Sequence, residues 1–265
     1  IVTAIGGSFG GKNWLALEPY CVALSRKAGK PVKMALTCEE EMSTASGSVP
    51  AIIKMKTGVK KDGTLIAKKI EFLWDTGAYG DGLTTLTVSR NTALGPYRIP
   101  HARVDTILVY TNNMPTNPFR SFGAQYVAWA NERQMDIIAQ SLKIDPLEIR
   151  KKNILVNGDT TTSGDLITSA HLDECLERAA RAIGWGRDPG KNRGLGIACF
   201  IKGSPISTLS EVTVNVNGDG TVEVFSGNGE VGQGLKTLLS QVVGEVLALN
   251  PDNIRVFNGD SSTTP

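Results

Sequence analysis

The residues best placed to do chemistry stand near the start of the chain: Gly6-Gly7-Ser8-Phe9-Gly10-Gly11-Lys12, behind the apolar residues 1–5 and ahead of a helix-like stretch over 14–27. Glycine at 6, 7, 10 and 11 lets the backbone take positive φ and approach a ligand closely. A helix starting next would add unpaired N–H groups for an anion. The residues alone admit two readings, a turn that holds a phosphate or pyrophosphate and a tight structural turn. The spacing also fits a P-loop, G-x-x-x-x-G-K, but Asn13 stands where a Ser or Thr should bind Mg²⁺. A dinucleotide G-x-G-x-x-G does not fit. Phe9 is the odd residue, because an aromatic ring in a phosphate turn needs a flat or apolar partner.

Two further stretches carry chemistry. Phe119-Arg120-Ser121-Phe122-Gly123 puts a guanidinium between two aromatics at the mouth of a predicted helix over 125–142. Burying that charge requires a carboxylate, or an anionic ligand, as its partner. Near the end, Gly229-Glu230-Val231-Gly232-Gln233-Gly234 forms a second glycine-rich turn directly before a predicted helix over 235–249. The Gln233 amide adds a donor and an acceptor to its backbone N–H groups.

These turns need elements to hold them. Alternation and turn chemistry predict strands over 31–36, 51–59, 65–74 and 104–110, the middle two joined by Asp62-Gly63. Helical patterning recurs over 125–142, over 146–152 behind the Asp145-Pro146 start, and over 171–184. Strands resume at 195–201, 211–217, 222–225 and 253–257. The expectation is an α+β chain with mixed sheets: a first domain over 1–156, a linker with a helix over 157–192, and the opening part of a second domain over 193–265.

Composition narrows the function classes. A net charge of +2 over 265 residues implies no nucleic-acid partner, and the apolar runs are too short for a membrane span. Cys21, Cys38, Cys175 and Cys199 have no metal-ligand spacing, and His101 and His171 are the only histidines. Reduced thiols in a cytoplasmic protein are the reading. The chain lacks an initiator Met and reads as a fragment.

Taken together, the three stretches resemble the molybdenum-binding subunit of the xanthine dehydrogenase and aldehyde oxidase family of molybdenum hydroxylases. The first turn resembles that family's GGGFGGK, Phe119 to Gly123 its FRGFG, and Gly229 to Gly234 its G-x-E-M-G-Q-G. Asp75-Thr76-Gly77-Ala78-Tyr79-Gly80 is similar to its D-x-G-A-Y-G strand end. The resemblance implies two portions of molybdopterin-binding domains. It also implies hydroxylation of an aldehyde or an electron-poor N-heterocycle, with water as the oxygen source. Molybdenum would be held by molybdopterin, in the bare form or as its cytosine dinucleotide, with 2Fe-2S and FAD on other segments or subunits.

By the same resemblance Gly7, Ser8, Phe9, Gly10, Arg120, Gly232 and Gln233 contact the cofactor, with Phe9 and Arg120 near the metal without ligating it. Phe122 becomes an aromatic wall for a flat substrate. Asn13 takes the place of the Glu by which purine-oxidising members bind substrate, and a neutral amide argues against xanthine. Arg90, ahead of Tyr97-Arg98-Ile99-Pro100, is carried over as a substrate residue although its spacing is not the family's. The general-base Glu has no counterpart here and is expected beyond Pro265, so no catalytic residue is assigned to this chain and the polypeptide alone is incomplete. Two rival readings remain, a P-loop-like nucleotide hydrolase and a cofactor-free accessory or scaffold domain whose glycine turns are only structural.

Overall fold

The computed structural model describes residues 5–12, 15–80, 82–117, 119–161, 164–201 and 209–265. The chain divides into two compact units, Leu15–Gly203, and Ile1–Trp14 together with Ser204–Pro265.

In the larger unit, helix α1 (Glu18–Ala28) begins later than the patterning over 14–27 predicts. Pro19 is the reason. Its ring permits only a first-turn position and would clash with the carbonyl of residue 15 in a longer helix. The helix therefore starts at Glu18 and does not follow Lys12 directly. Residues 31–36 form no strand, contrary to expectation. Instead a second helix, α2 (Cys38–Thr44), starts at a capping box: Thr37 Oγ1 accepts from Glu40 N at 3.2 Å while Glu40 Oε2 accepts from Thr37 N at 2.8 Å.

Strands β1 (Ala51–Val59) and β2 (Leu65–Gly77) form the expected hairpin. Its turn is closed by Lys60 N to Thr64 O at 2.9 Å, with Gly63 at φ 86°. After β2 the chain forms α3 (Leu83–Asn91) and returns as β3 (His101–Tyr110), parallel to β2, so the sheet order is β1-β2-β3. Ile70, Phe72 and Trp74 of β2 are wholly buried on one face, with the half-buried Met55, Ile53 and Ala51 opposite them. Helix α4 (Ala124–Leu142) lies on that face. Its Val127 and Met135 enter the core, Tyr126 sets its ring edge-on to Trp74, and Thr57 of β1 donates to Gln134 at 2.7 Å.

Helix α5 (Pro146–Asn153) is capped by Asp145, as the sequence predicts, and α6 (Leu172–Ile183) follows. Asn153 ties α5 to the hairpin turn, donating to Gly63 O and accepting from Leu65 N, both at 2.9 Å. Residues 195–201, expected as a strand, carry no ladder. Their Cys199 N–H is instead held by the Glu132 carboxylate at 2.7 Å. A strand exists only through a neighbouring backbone, which a local pattern cannot supply.

The smaller unit repeats the plan. Strands β4 (Val212–Val216) and β5 (Val222–Ser226) pair antiparallel, α7 (Leu235–Leu247) crosses over, and β6 (Ile254–Asn258) returns parallel to β5. Its hairpin closes in the same way, Asn217 N to Thr221 O at 2.9 Å with Gly220 at φ 84°. Val222, Val224 and Ile254 make the core, covered by Leu239 and Val243 of α7. Among the described residues no helix is long and apolar enough to cross a membrane.

Candidate cofactor site

The first and last glycine turns meet in the smaller unit. Gly7 and Gly10 take φ 94° and 100°, and Phe9 between them takes φ 52°, a left-handed conformation that costs a bulky residue about 1 kcal/mol. Ser8 O accepts from Gly11 N at 2.9 Å and closes the turn. The Phe9 ring folds back over Gly7, where an added Cβ would sit 3.0 Å from Cε2, yet it stays 63% exposed. Gly232, at φ 100°, lies against the same turn: a Cβ there would stand 2.8 Å from Gly7 N and 3.0 Å from Gly7 Cα. Two backbones therefore approach with no room for a side chain between them.

The turn before α7 is stiffened from within. Gln233 Nε2 donates to Gly229 O at 2.9 Å and its Oε1 accepts from Val231 N at 2.7 Å, so both ends of the amide are engaged. Glu230 is the residue that sequence reasoning passed over. Its Oε1 accepts from Gly232 N at 2.9 Å and Gly234 N at 3.0 Å, and Oε2 from Lys236 N at 3.4 Å. These bonds, Gly234 N–H foremost, hold the carboxyl below the usual carboxylate range. The helix N-terminus that would attract an anion is thus already served by a carboxylate of the chain. The signal was legible as an acidic residue just ahead of a helix start.

The larger unit holds the other predicted residues. Ser121, Phe122 and Gly123 take φ 69°, 52° and 90° in succession, a tight left-handed passage into α4, and Ser121 Oγ donates to Gln125 Oε1 at 2.6 Å. Arg120 is exposed and Phe122 half-buried. Arg120 lines a cavity of about 690 Å³ that runs beside α4, between Gln125, Trp129 and Arg133 on one side and Ile197 and Phe200 on the other. Arg90 is exposed in the last turn of α3, its Nε 3.4 Å from Asn91 Oδ1. Asn13 lies outside the described residues. Among the described residues no three His, Cys, Asp or Glu side chains cluster as a metal site.

Behind that cavity lies a buried polar network that the sequence does not announce. Glu132 accepts from Arg150 Nε at 2.8 Å, from Tyr97 Oη at 2.6 Å and from Cys199 N, while Arg150 Nη2 reaches Asp136 at 2.8 Å. The Arg150 side chain is fully buried. Burial, and then the Glu132 charge, raises the Tyr97 phenol and pushes the Cys199 thiol up to about 11. Burial thus disfavours the thiolate form of Cys199. Lys68 of β2, also buried, donates to Asn131 of α4, and burial lowers its pKa to about 8.

Comparison with known proteins adds to this geometry. Residues 1–154 match one family described as a molybdopterin cofactor-binding domain, and residues 166–265 match a second with the same description. The xanthine dehydrogenase molybdenum-binding subunit of Escherichia coli O157:H7 is 33% identical over 281 residues, covering 100% of this chain and 37% of that protein. The nicotinate dehydrogenase large molybdopterin subunit of Eubacterium barkeri is 38% identical over 181 residues, 68% of this chain and 43% of that protein. The solved aldehyde oxidoreductase of Desulfovibrio gigas superposes with a TM-score of 0.84 at 28% identity, over 98% of this chain and 30% of that one. The chain thus spans under half the length of each of these relatives.

Proposed function

The chain belongs to the molybdopterin cofactor-binding family shared with these xanthine dehydrogenase and aldehyde oxidoreductase relatives, and from that premise we propose that it is the cofactor-binding portion of a molybdenum hydroxylase. The observation that carries the reading is the meeting of the two glycine-rich turns, Gly7 packed backbone to backbone against Gly232, which sets the exposed Phe9 ring beside the turn that precedes α7. The exposed Phe9 ring offers a flat cofactor an apolar face, and the fixed Gln233 amide keeps the second turn in shape. Gly7, Ser8, Phe9, Gly10, Gly232 and Gln233 are assigned to the cofactor on this basis. Because Glu230 already caps α7, the paired turns and the Phe9 ring they present, and not the helix terminus, are the features that favour binding here.

When bound, a molybdenum–pterin group supplies the redox chemistry of hydroxylation with water as the oxygen source. The chain's own part is to hold that group and orient a substrate. Arg120 is assigned to the cofactor's surroundings and Phe122 to stacking on a flat substrate, an interaction worth about 0.5–1.5 kcal/mol beyond burial. Arg90 and Asn13 complete the substrate assignment. An aldehyde or an electron-poor N-heterocycle is the substrate class, the neutral amide of Asn13 disfavouring xanthine. Iron–sulfur and FAD partners in the cytoplasm would take the electrons, and the general-base carboxylate would come from polypeptide outside these residues.

The test is molybdenum content by plasma mass spectrometry and pterin fluorescence in the natural assembly, with Gly232→Val and Phe9→Ala beside the wild type. Stoichiometric molybdenum and pterin in the wild type, lost in Gly232→Val and reduced in Phe9→Ala, is the expected result. A folded, intact assembly without pterin, or full loading of Gly232→Val, would overturn the assignment.

A further inference from the structure

The left-handed passage that carries Arg120 and Phe122 is shaped by bonds between near neighbours. Phe122 N donates to Phe119 O at 2.7 Å, Ala124 N to Ser121 O at 3.1 Å and Ser121 Oγ to Gln125 Oε1 at 2.6 Å. Such bonds give the passage its form but cannot set where in the molecule it stands. Successive residues at positive φ are also strained, and the strain persists only where the surrounding structure holds the segment in place.

Both ends of the passage are held by one short segment, Ser46-Gly47-Ser48, which runs between α2 and β1. Upstream, Asn117 N donates to Gly47 O at 3.0 Å and Asn117 Nδ2 to Ser46 Oγ at 2.6 Å, beside a parallel pairing of Gly47 with Thr116. Downstream, Ser48 Oγ and Tyr126 Oη share a hydrogen bond at 2.7 Å, with Tyr126 in the first turn of α4 against Trp74. The segment is itself fixed, because Val49 enters the core and Thr116 N is bonded to Thr76 O of β2 at 3.1 Å.

Asn117 is 3% exposed, and its Oδ1 accepts no hydrogen bond among the described residues. A buried acceptor left unpaired is destabilising. A leucine of similar size would avoid that cost, but it has no donor to offer Ser46. We propose that Asn117, through Ser46, is a positioning residue that sets where Arg120 and Phe122 stand, a role that rests on the assignment of those two residues to the cofactor's surroundings and the substrate. Asn117 acts through the chain it anchors and not by contact with either group.

The experiment compares the wild-type natural assembly with Asn117→Ala, with Ser46→Ala in case the first variant fails to fold, and with Ser46→Thr, which keeps the hydroxyl. The readouts are molybdenum and pterin content, amide exchange of residues 119–126, and the paramagnetic resonance of Mo(V) after dithionite reduction. In the Ala variants these amides should exchange about tenfold faster and the Mo(V) signal should change, while α5 exchanges as in wild type and Ser46→Thr matches wild type throughout. A loaded wild type whose Ala variants keep its exchange or its signal overturns the positioning role and leaves the cofactor reading standing. Acceleration spread equally into α5 would make Asn117 a general stabiliser and overturn the role as well. A folded wild type without molybdenum and pterin overturns the cofactor reading, and this role with it.

Discussion

Gly232 packs against Gly7 so closely that one added methyl group would stand 2.8 Å from the Gly7 amide nitrogen. Gly234, two residues on, also has positive φ, at 79°, but faces open space. Gly232→Ala therefore suffers both backbone strain and a backbone clash, whereas Gly234→Ala suffers strain alone. Urea denaturation should show Gly232→Ala less stable than wild type by about 1–3 kcal/mol and Gly234→Ala by about 1 kcal/mol. Equal effects would mean that the two turns are not in contact in solution.

Glu132 is the acceptor on which α4, α5, Tyr97 and residue 199 converge. Glu132→Gln leaves the buried Arg150 guanidinium without its full charge partner, and removing one member of such a pair costs about 3–5 kcal/mol. Replacing both, as Glu132→Leu with Arg150→Met, should recover much of the loss. A double-mutant cycle in guanidinium chloride measures this. A single-variant loss below about 1 kcal/mol would show that the pair is solvated.

Lys68 sets a pH dependence. Its folded pKa of about 8 lies below the 10.5 of an exposed lysine, so between those values the unfolded chain carries a proton that the folded chain lacks. Stability contributed by this residue therefore rises with pH across that window, by an amount on the order of a few kcal/mol. Cys199 opposes it, because its folded value of about 11 lies above 9.0 and its contribution falls as pH rises between them. Lys68→Met should remove the rising component, read as the difference between variant and wild-type melting temperatures from pH 7.5 to 10.5. Parallel curves would contradict the burial of the charge.

Ser121 occupies a left-handed position in a segment whose family pattern has Gly, and its hydroxyl bonds Gln125. Ser121→Gly relieves the strain and loses the bond, while Ser121→Ala keeps the strain and loses the bond. The Ala variant should therefore be less stable than the Gly variant by about 1 kcal/mol in thermal melts. The reverse order would show that the left-handed passage is not strained.

Local chemistry determined much of this protein. Asp62-Gly63 and the alternation on either side specify the first hairpin, Asp145-Pro146 specifies the start of α5, and the glycine patterns around Phe9 and Gln233 mark the turns that carry the family likeness. Pro19 and the Thr37–Glu40 capping box were legible too, since both act within a few residues. Tertiary structure alone decided the rest. Whether residues 31–36 and 195–201 become strands depends on a backbone beside them, and neither found one. That Gly7 meets Gly232, that Glu132 gathers Arg150, Tyr97 and Cys199, and that Glu230 rather than a ligand serves the start of α7 are matters of distance in space. The physical reason is range: turns and caps are settled by neighbours in sequence, whereas close backbone approach and the pairing of buried charge are settled by whichever distant segment the fold brings alongside.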